Sequence, residues 1–118
     1  MIAVTTHEHN LRSLRCVVSA KFPVTLHHCH GGSIKALGPE YWPGVGQRQN
    51  PFLQIPLSAE FHVGDYGIDY GMGVSEWEDR FGTQLAFLHE VNGLLSYDIF
   101  EEARRWSSEH SFSQKITA

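Results

Sequence analysis

Three of the chain's eight histidines fall in the run His27-His28-Cys29-His30-Gly31-Gly32, and no other stretch constrains the fold as strongly. The β-branched residues of Val24-Thr25-Leu26 lead directly into it, which predicts a strand that ends at the histidines. Neighbouring residues on a strand point to opposite faces, so His27 and His28 can have separate tasks, one holding a metal while the other faces a substrate. A neutral imidazole suits either task, because its unperturbed pKa lies close to neutrality.

Downstream of the histidines, residues 31 to 50 contain five glycines and two prolines around Tyr41-Trp42-Pro43-Gly44, which predicts a long, mostly extended loop over the site. Phe52-Leu53-Gln54-Ile55 then reads as a short strand stopped by Pro56, and residues 58 to 63 as a short helix presenting His62. Gly64, Gly67, Gly71 and Gly73 mark a second irregular segment. Ser75-Glu76-Trp77-Glu78 and Asp98-Ile99-Phe100-Glu101 both carry a capping-box pattern, so two C-terminal helices are expected to start there. Trp77, Phe81, Leu85 and Leu88 make one apolar stripe if the first helix runs through Gly82, whereas Gly82-Thr83 can split it in two. Trp77 and Trp106 are expected in the core, with Phe52, Leu57 and Phe61 packing around the site.

Upstream, Asn10 to Arg15 can open a short helix with Asn10 as its N-cap. His7 and His9 are expected to be solvated on a frayed terminus, and His89 and His110 to be surface or packing residues.

The 118 residues suffice for one domain with a modest core, divided into a core at about 16–70 and a helical extension at about 74–110. No apolar run approaches the ~18 residues of a membrane span, and residues 1 to 10 lack a signal peptide's apolar stretch, so a cytoplasmic protein is expected. Two cysteines, Cys16 and Cys29, are too few for a disulfide framework, although a bond between them stays open. The net charge of −4 argues against a strongly basic nucleic-acid binder, yet residues 1–54 carry +3 and residues 55–118 carry −7. A polyanion would therefore meet the N-terminal half.

The ordered set of His27-His28, Gly31-Gly32, Asn50, Pro56-Leu57 with His62, and Gly67-Ile68 resembles the HNH endonuclease superfamily. It is most similar to the small phage-encoded HNH proteins related to recombination-enhancement nucleases, and the tail from Val74 to Gln84 resembles the segment that follows the nuclease core in those proteins. The resemblance implies an α+β fold, with a ββα-metal core, a long Gly/Pro-rich loop and C-terminal helices. It implies one divalent ion (Mg, Mn, Ni or Zn) held by His27 and His62, with His28 as the general base and Asn50 orienting the base or pinning its loop. Asp69 is an accessory candidate, and His30 is open between a metal or phosphate contact and a loop hydrogen bond. Lys21, Lys35 and Arg48 flank the site and are candidate DNA contacts.

One departure matters. Many HNH proteins carry two Cys-x-x-Cys knuckles around a structural zinc, where this chain has Cys16-Val17-Val18-Ser19 and Ser58-Ala59-Glu60-Phe61, so no structural zinc is expected. The implied partners are DNA, in duplex, branched or single-stranded form, and phage or host recombination proteins, with no membrane. Two alternatives remain beside an endonuclease: a non-catalytic DNA-binding or recombination accessory protein on the same scaffold, and a small metal-binding protein with no nucleic-acid role.

Overall fold

The computed structural model describes residues 1–44 and 49–111. Its architecture is α+β: one antiparallel hairpin of strands surrounded by helices. Strand β1 (Thr25–His28) pairs with β2 (Gln54–Leu57) in the register Thr25 to Leu57, Leu26 to Pro56, His27 to Ile55 and His28 to Gln54. β1 therefore contains both histidines of the pair, as its residue pattern predicts. β2 differs from expectation by running through Pro56. A two-stranded sheet has only edge strands, where the missing proline N–H costs no ladder bond, and the Pro56 carbonyl accepts from the Val17 amide.

Helix α1 (Val4–Arg12) occupies the stretch expected to be frayed and ends at Arg12, so Asn10 lies in its last turn and not at an N-cap, and the helix expected over residues 10–15 does not form. α1 packs on both strands, and His7, expected to be solvated, is fully buried against the Phe52 ring with its Nδ1 2.7 Å from the Tyr97 hydroxyl. Tertiary burial thus extends a helix whose own sequence is too polar to announce itself. All four residues of β2 are buried, because α1, α4 (Gln84–Leu94) and the short α2 (Ala59–His62) all pack on that strand.

The loop after β1 is more regular than its composition suggests, with 3-10 turns at Gly32–Ala36 and Pro39–Tyr41. Gly31 and Gly32 both adopt positive φ. A Cβ on Gly32 would meet the Glu78 carboxylate and lie 2.8 Å from Val74 Cγ1, and the positive φ itself favours glycine at this position.

The C-terminal region is split at Gly82 into α3 (Val74–Phe81) and α4, and Thr83 caps α4 by accepting from the Ala86 amide. Helix α5 (Ile99–Glu109) is capped by Asp98, which accepts from the Phe100 amide. The box predicted at Ser75 does not form. α3 starts two residues earlier, with Gly73 in the N-cap place, and Glu78 turns away to accept from the Ser33 amide, the Ser33 hydroxyl and the Gln84 amide. Three tertiary donors outcompete the single local one that the box offers.

Leu11, Leu53, Ile55, Leu57, Trp77 and Leu88 are all fully buried in the core. Trp77 occupies the place expected of it, whereas Trp106 is only half-buried and stacks on His110 with ring centroids 4.3 Å apart. His89, as expected of a packing residue, lies against Phe100. No helix among the described residues is long and apolar enough to cross a membrane.

Candidate metal centre

His27, His30, His62 and Asp69 come together at one carboxylate. Asp69 Oδ2 lies 3.0 Å from His27 Nδ1 and 2.9 Å from His62 Nε2, while Oδ1 lies 2.9 Å from His30 Nε2. Four separate elements deliver these groups. β1 supplies His27 on the same face as Thr25, the chain leaving β1 supplies His30, and α2 supplies His62. Asp69 belongs to the glycine-rich segment, which folds back so that the Ile68 amide bonds the Phe61 carbonyl and the Asp69 amide bonds that of His62. The Trp77 indole N–H also donates to the Phe61 carbonyl, tying this segment to α3. A Cβ on Gly67 would sit 2.6 Å from the His62 carbonyl oxygen, so the tight return depends on that glycine.

The proton positions follow from the surrounding partners. Gln84, fully buried at the start of α4, donates from Nε2 to the His30 carbonyl, and its Oε1 accepts from the His30 amide. A backbone carbonyl only accepts and an amide N–H only donates, so the orientation of the glutamine is fixed. The same Oε1, 2.9 Å from His27 Nε2, must then accept a proton from that ring. Burial, outweighing the bond to Gln84 and the negative charge of Asp69, lowers the pKa of His27 and favours the neutral ring. In its neutral form its one proton is on Nε2, and its bare Nδ1 then faces Asp69.

A parallel argument holds for His62. The Thr25 hydroxyl donates to the Leu57 carbonyl at 2.9 Å, which leaves its oxygen to accept from His62 Nδ1 at 2.8 Å. In its neutral form His62 therefore turns a bare Nε2 toward the same Asp69 oxygen. Two nitrogen lone pairs and a carboxylate oxygen, all within 4.8 Å of one another, converge on one point. Such a set repels itself without a cation and fits one, since imidazole nitrogen and carboxylate oxygen both bind a divalent ion at roughly 2.0–2.2 Å. Burial alone would push the Asp69 carboxyl up, but the hydrogen bond from His30 and the neighbouring imidazoles of His27 and His62 more than offset it and hold the group below the usual carboxylate range. His30 is 43% exposed, so the centre opens to solvent on its side.

His28 is not one of the three grouped residues. It stands opposite Gln54 on the alternate face of β1, half-buried, within the electrostatic reach of Glu8, Asp69, His62 and His30. Burial is the largest influence on it and lowers its pKa.

Asn50 does not orient that ring. Its side chain donates to the Tyr41 and Ala103 carbonyls at 2.8 and 2.9 Å and accepts from the Phe52 amide at 3.0 Å, so among the described residues it pins its loop to α5. Both amide N–H groups and the side-chain oxygen of Asn50 are thus engaged within the loop and α5, and none of these bonds is to a histidine.

Lys21 and Lys35 are both exposed, and Arg48 lies outside the described residues. At the knuckle positions, the Cys16 thiol accepts from the Ser19 amide and the Ser58 hydroxyl at 3.4 and 3.6 Å, and the Ser19 and Ser58 hydroxyls lie 3.5 Å apart. Phe61, at the fourth position, packs edge-on to Phe81. Cys16 and Cys29 are both buried and unbonded to each other.

Sequence reading does not find Gln84, Thr25 or Glu78. Gln84 lies 57 residues from His27, and nothing in spacing or composition signals that an amide at a helix start will meet a histidine. Asp69 is the member a sequence can suggest, as an acidic residue in a glycine-rich turn seven positions after a candidate ligand. No family model, curated protein or solved structure matches the chain.

Proposed function

We propose that this protein is a metal-dependent DNA endonuclease of the HNH kind, phage or prophage in origin, built around one divalent ion held by His27, His62 and Asp69. The observation that carries this reading is the convergence of His27 Nδ1 and His62 Nε2 on one Asp69 oxygen, with the other nitrogen of each ring bonded to Gln84 or Thr25. The order of His27-His28, Gly31-Gly32 and Pro56-Leu57 with His62 supports the assignment to a ββα-metal core. The hairpin followed by α2 is compatible with it.

A bound divalent ion would supply positive charge at the scissile phosphate and the departing oxygen. The remaining work belongs to the chain. Gln84 and Thr25 hold the ligand rings in one tautomer, so no proton has to leave before a cation is bound. His28 accepts the proton of the attacking water, and His30, partly exposed beside Asp69, is placed to donate to a phosphate oxygen. The placement of Asn50 away from the histidines favours a second reading, an accessory protein that binds metal and DNA without cutting.

Incubation of supercoiled plasmid and labelled single strands with Mg²⁺, Mn²⁺, Ni²⁺ or Zn²⁺ separates the two. The wild type should cut with at least one of these ions, and His28→Ala should lower the rate by roughly 10²-fold or more. Undiminished cutting by the variant would remove His28 from the mechanism. DNA binding without any cutting would establish the accessory protein.

A further inference from the structure

A cleft of about 510 Å³ opens beside the metal centre, lined by His30, Gly31, Ile34, Lys35, Leu37 and Trp42. Its size falls in the range of small-molecule and cofactor sites. His30 belongs to both places, with Nε2 on Asp69 and its ring on the cleft wall, so an occupant of the cleft is one side chain from the centre.

Trp42 differs from the other two tryptophans. Trp77 donates to Phe61 and packs edge-on to Phe81 and Phe87, and Trp106 stacks on His110. The Trp42 indole has neither a ring partner nor a hydrogen-bond acceptor among the described residues, although it is only half-buried and lines a cleft. Beside it, Lys35 is exposed and forms no ion pair among the described residues. An aromatic face, aliphatic walls from Ile34 and Leu37, and a free ammonium on the rim match a nucleobase with its phosphate. In duplex DNA each base face is already covered by its neighbours. A duplex binder also neutralises many phosphates, which a chain of net charge −4 is poorly equipped to do.

We infer that this cleft binds an unstacked nucleobase of a single strand, with the base on Trp42 and its phosphate near Lys35, making single-stranded nucleic acid the substrate class of the adjoining centre. The inference rests on the nuclease reading for its catalytic meaning, but the binding itself does not require the metal.

The test is therefore carried out in EDTA with the full chain. Fluorescein-labelled oligo-dT and oligo-rU of about 12 nucleotides, and a DNA duplex of equal length, are titrated with protein. The strands should bind more tightly than the duplex and quench tryptophan fluorescence. Trp42→Ala should weaken strand binding by about tenfold or more, and Trp42→Phe should restore most of the affinity while losing the quench. Lys35→Ala should reduce the salt dependence by about one phosphate contact. Equal binding of dT and rU supports recognition of the shared base and phosphate, and a preference for one identifies the natural strand.

The inference is overturned if the duplex binds more tightly, if both Trp42 variants bind strands like the wild type, or if no oligonucleotide binds. Cutting assays distinguish this from failure of the nuclease reading. Metal-dependent cutting with Trp42-independent binding overturns the cleft alone, and Trp42-dependent binding without cutting by any ion overturns the nuclease alone.

Discussion

Gln84 shows how much a single buried amide can decide. One side chain accepts from His27 and from the His30 backbone while donating to the His30 carbonyl, so it sets both a ligand's tautomer and the path of the chain leaving β1. Gln84→Ala should lower divalent-ion affinity by about 10- to 100-fold, the usual cost of losing an outer partner of a ligand histidine, as read by competition with a chromophoric chelator. An unchanged affinity would mean that His27 finds its tautomer unaided.

His7 offers a different residue-scale expectation. Burial lowers its pKa to about 4. The unfolded chain, with an imidazole near 6.5, takes up its proton first as the pH falls. This group's contribution to stability is complete above about 6.5 and is lost progressively as the pH drops toward 4, by on the order of 3 kcal/mol. Urea midpoints measured from pH 7 down to pH 4 should fall, and His7→Leu should show a shallower acid slope than the wild type.

At the scale of elements, the long loop between the strands is held by side chains more than by its own turns. Asn50 joins the 3-10 turn at Tyr41 and the last helix at Ala103 to the entrance of β2. Asn50→Ala removes the donor to the buried Tyr41 carbonyl, the acceptor of the Phe52 amide and a second bond to the Ala103 carbonyl, which should cost about 3 kcal/mol in a chemical denaturation experiment. A loss below about 0.5 kcal/mol would show that water replaces the amide.

The same scale explains the knuckle positions. Cys16, Ser19 and Ser58 still meet, joined by weak hydrogen bonds, and Phe61 contributes aromatic packing at the fourth position. The turn before β1 and the start of α2 are thus linked by hydrogen bonding and packing. The break at Gly82 has a comparable logic. An uninterrupted helix would align Trp77, Phe81, Leu85 and Leu88 on one stripe, whereas the break lets α4 turn so that Gln84 enters the centre and Leu88 the core.

For the whole molecule, binding at a centre that joins β1, α2 and the glycine-rich segment should be felt as global stability. An ion that binds only the folded chain adds about 2.7 kcal/mol at a hundredfold excess over its Kd, so Tm should rise with a suitable divalent ion. His62→Ala or Asp69→Ala should abolish the rise. A Tm insensitive to every ion tested would count against the centre. The charge distribution has meaning at this scale too, since the −7 carried by residues 55–118 disfavours a broad polyanion-binding surface there.

The sequence by itself determined the strand carrying His27-His28, the helix carrying His62 and the Asp98 cap, and it offered the split at Gly82-Thr83 as one of two readings. Each follows from short-range chemistry: β-branching, proline and glycine punctuation, or a capping oxygen next to its amide. Tertiary structure alone decided the rest. It buried His7, sent Glu78 to Ser33 instead of a local cap, drew Asn50 away from the histidines, and set Gln84 and Thr25 behind the ligand rings. Polar side chains bond to the partners that folding brings near them, and a buried donor or acceptor left alone costs more than any local preference can return. A linear chain states which groups can bond, and only its packing determines which of them meet.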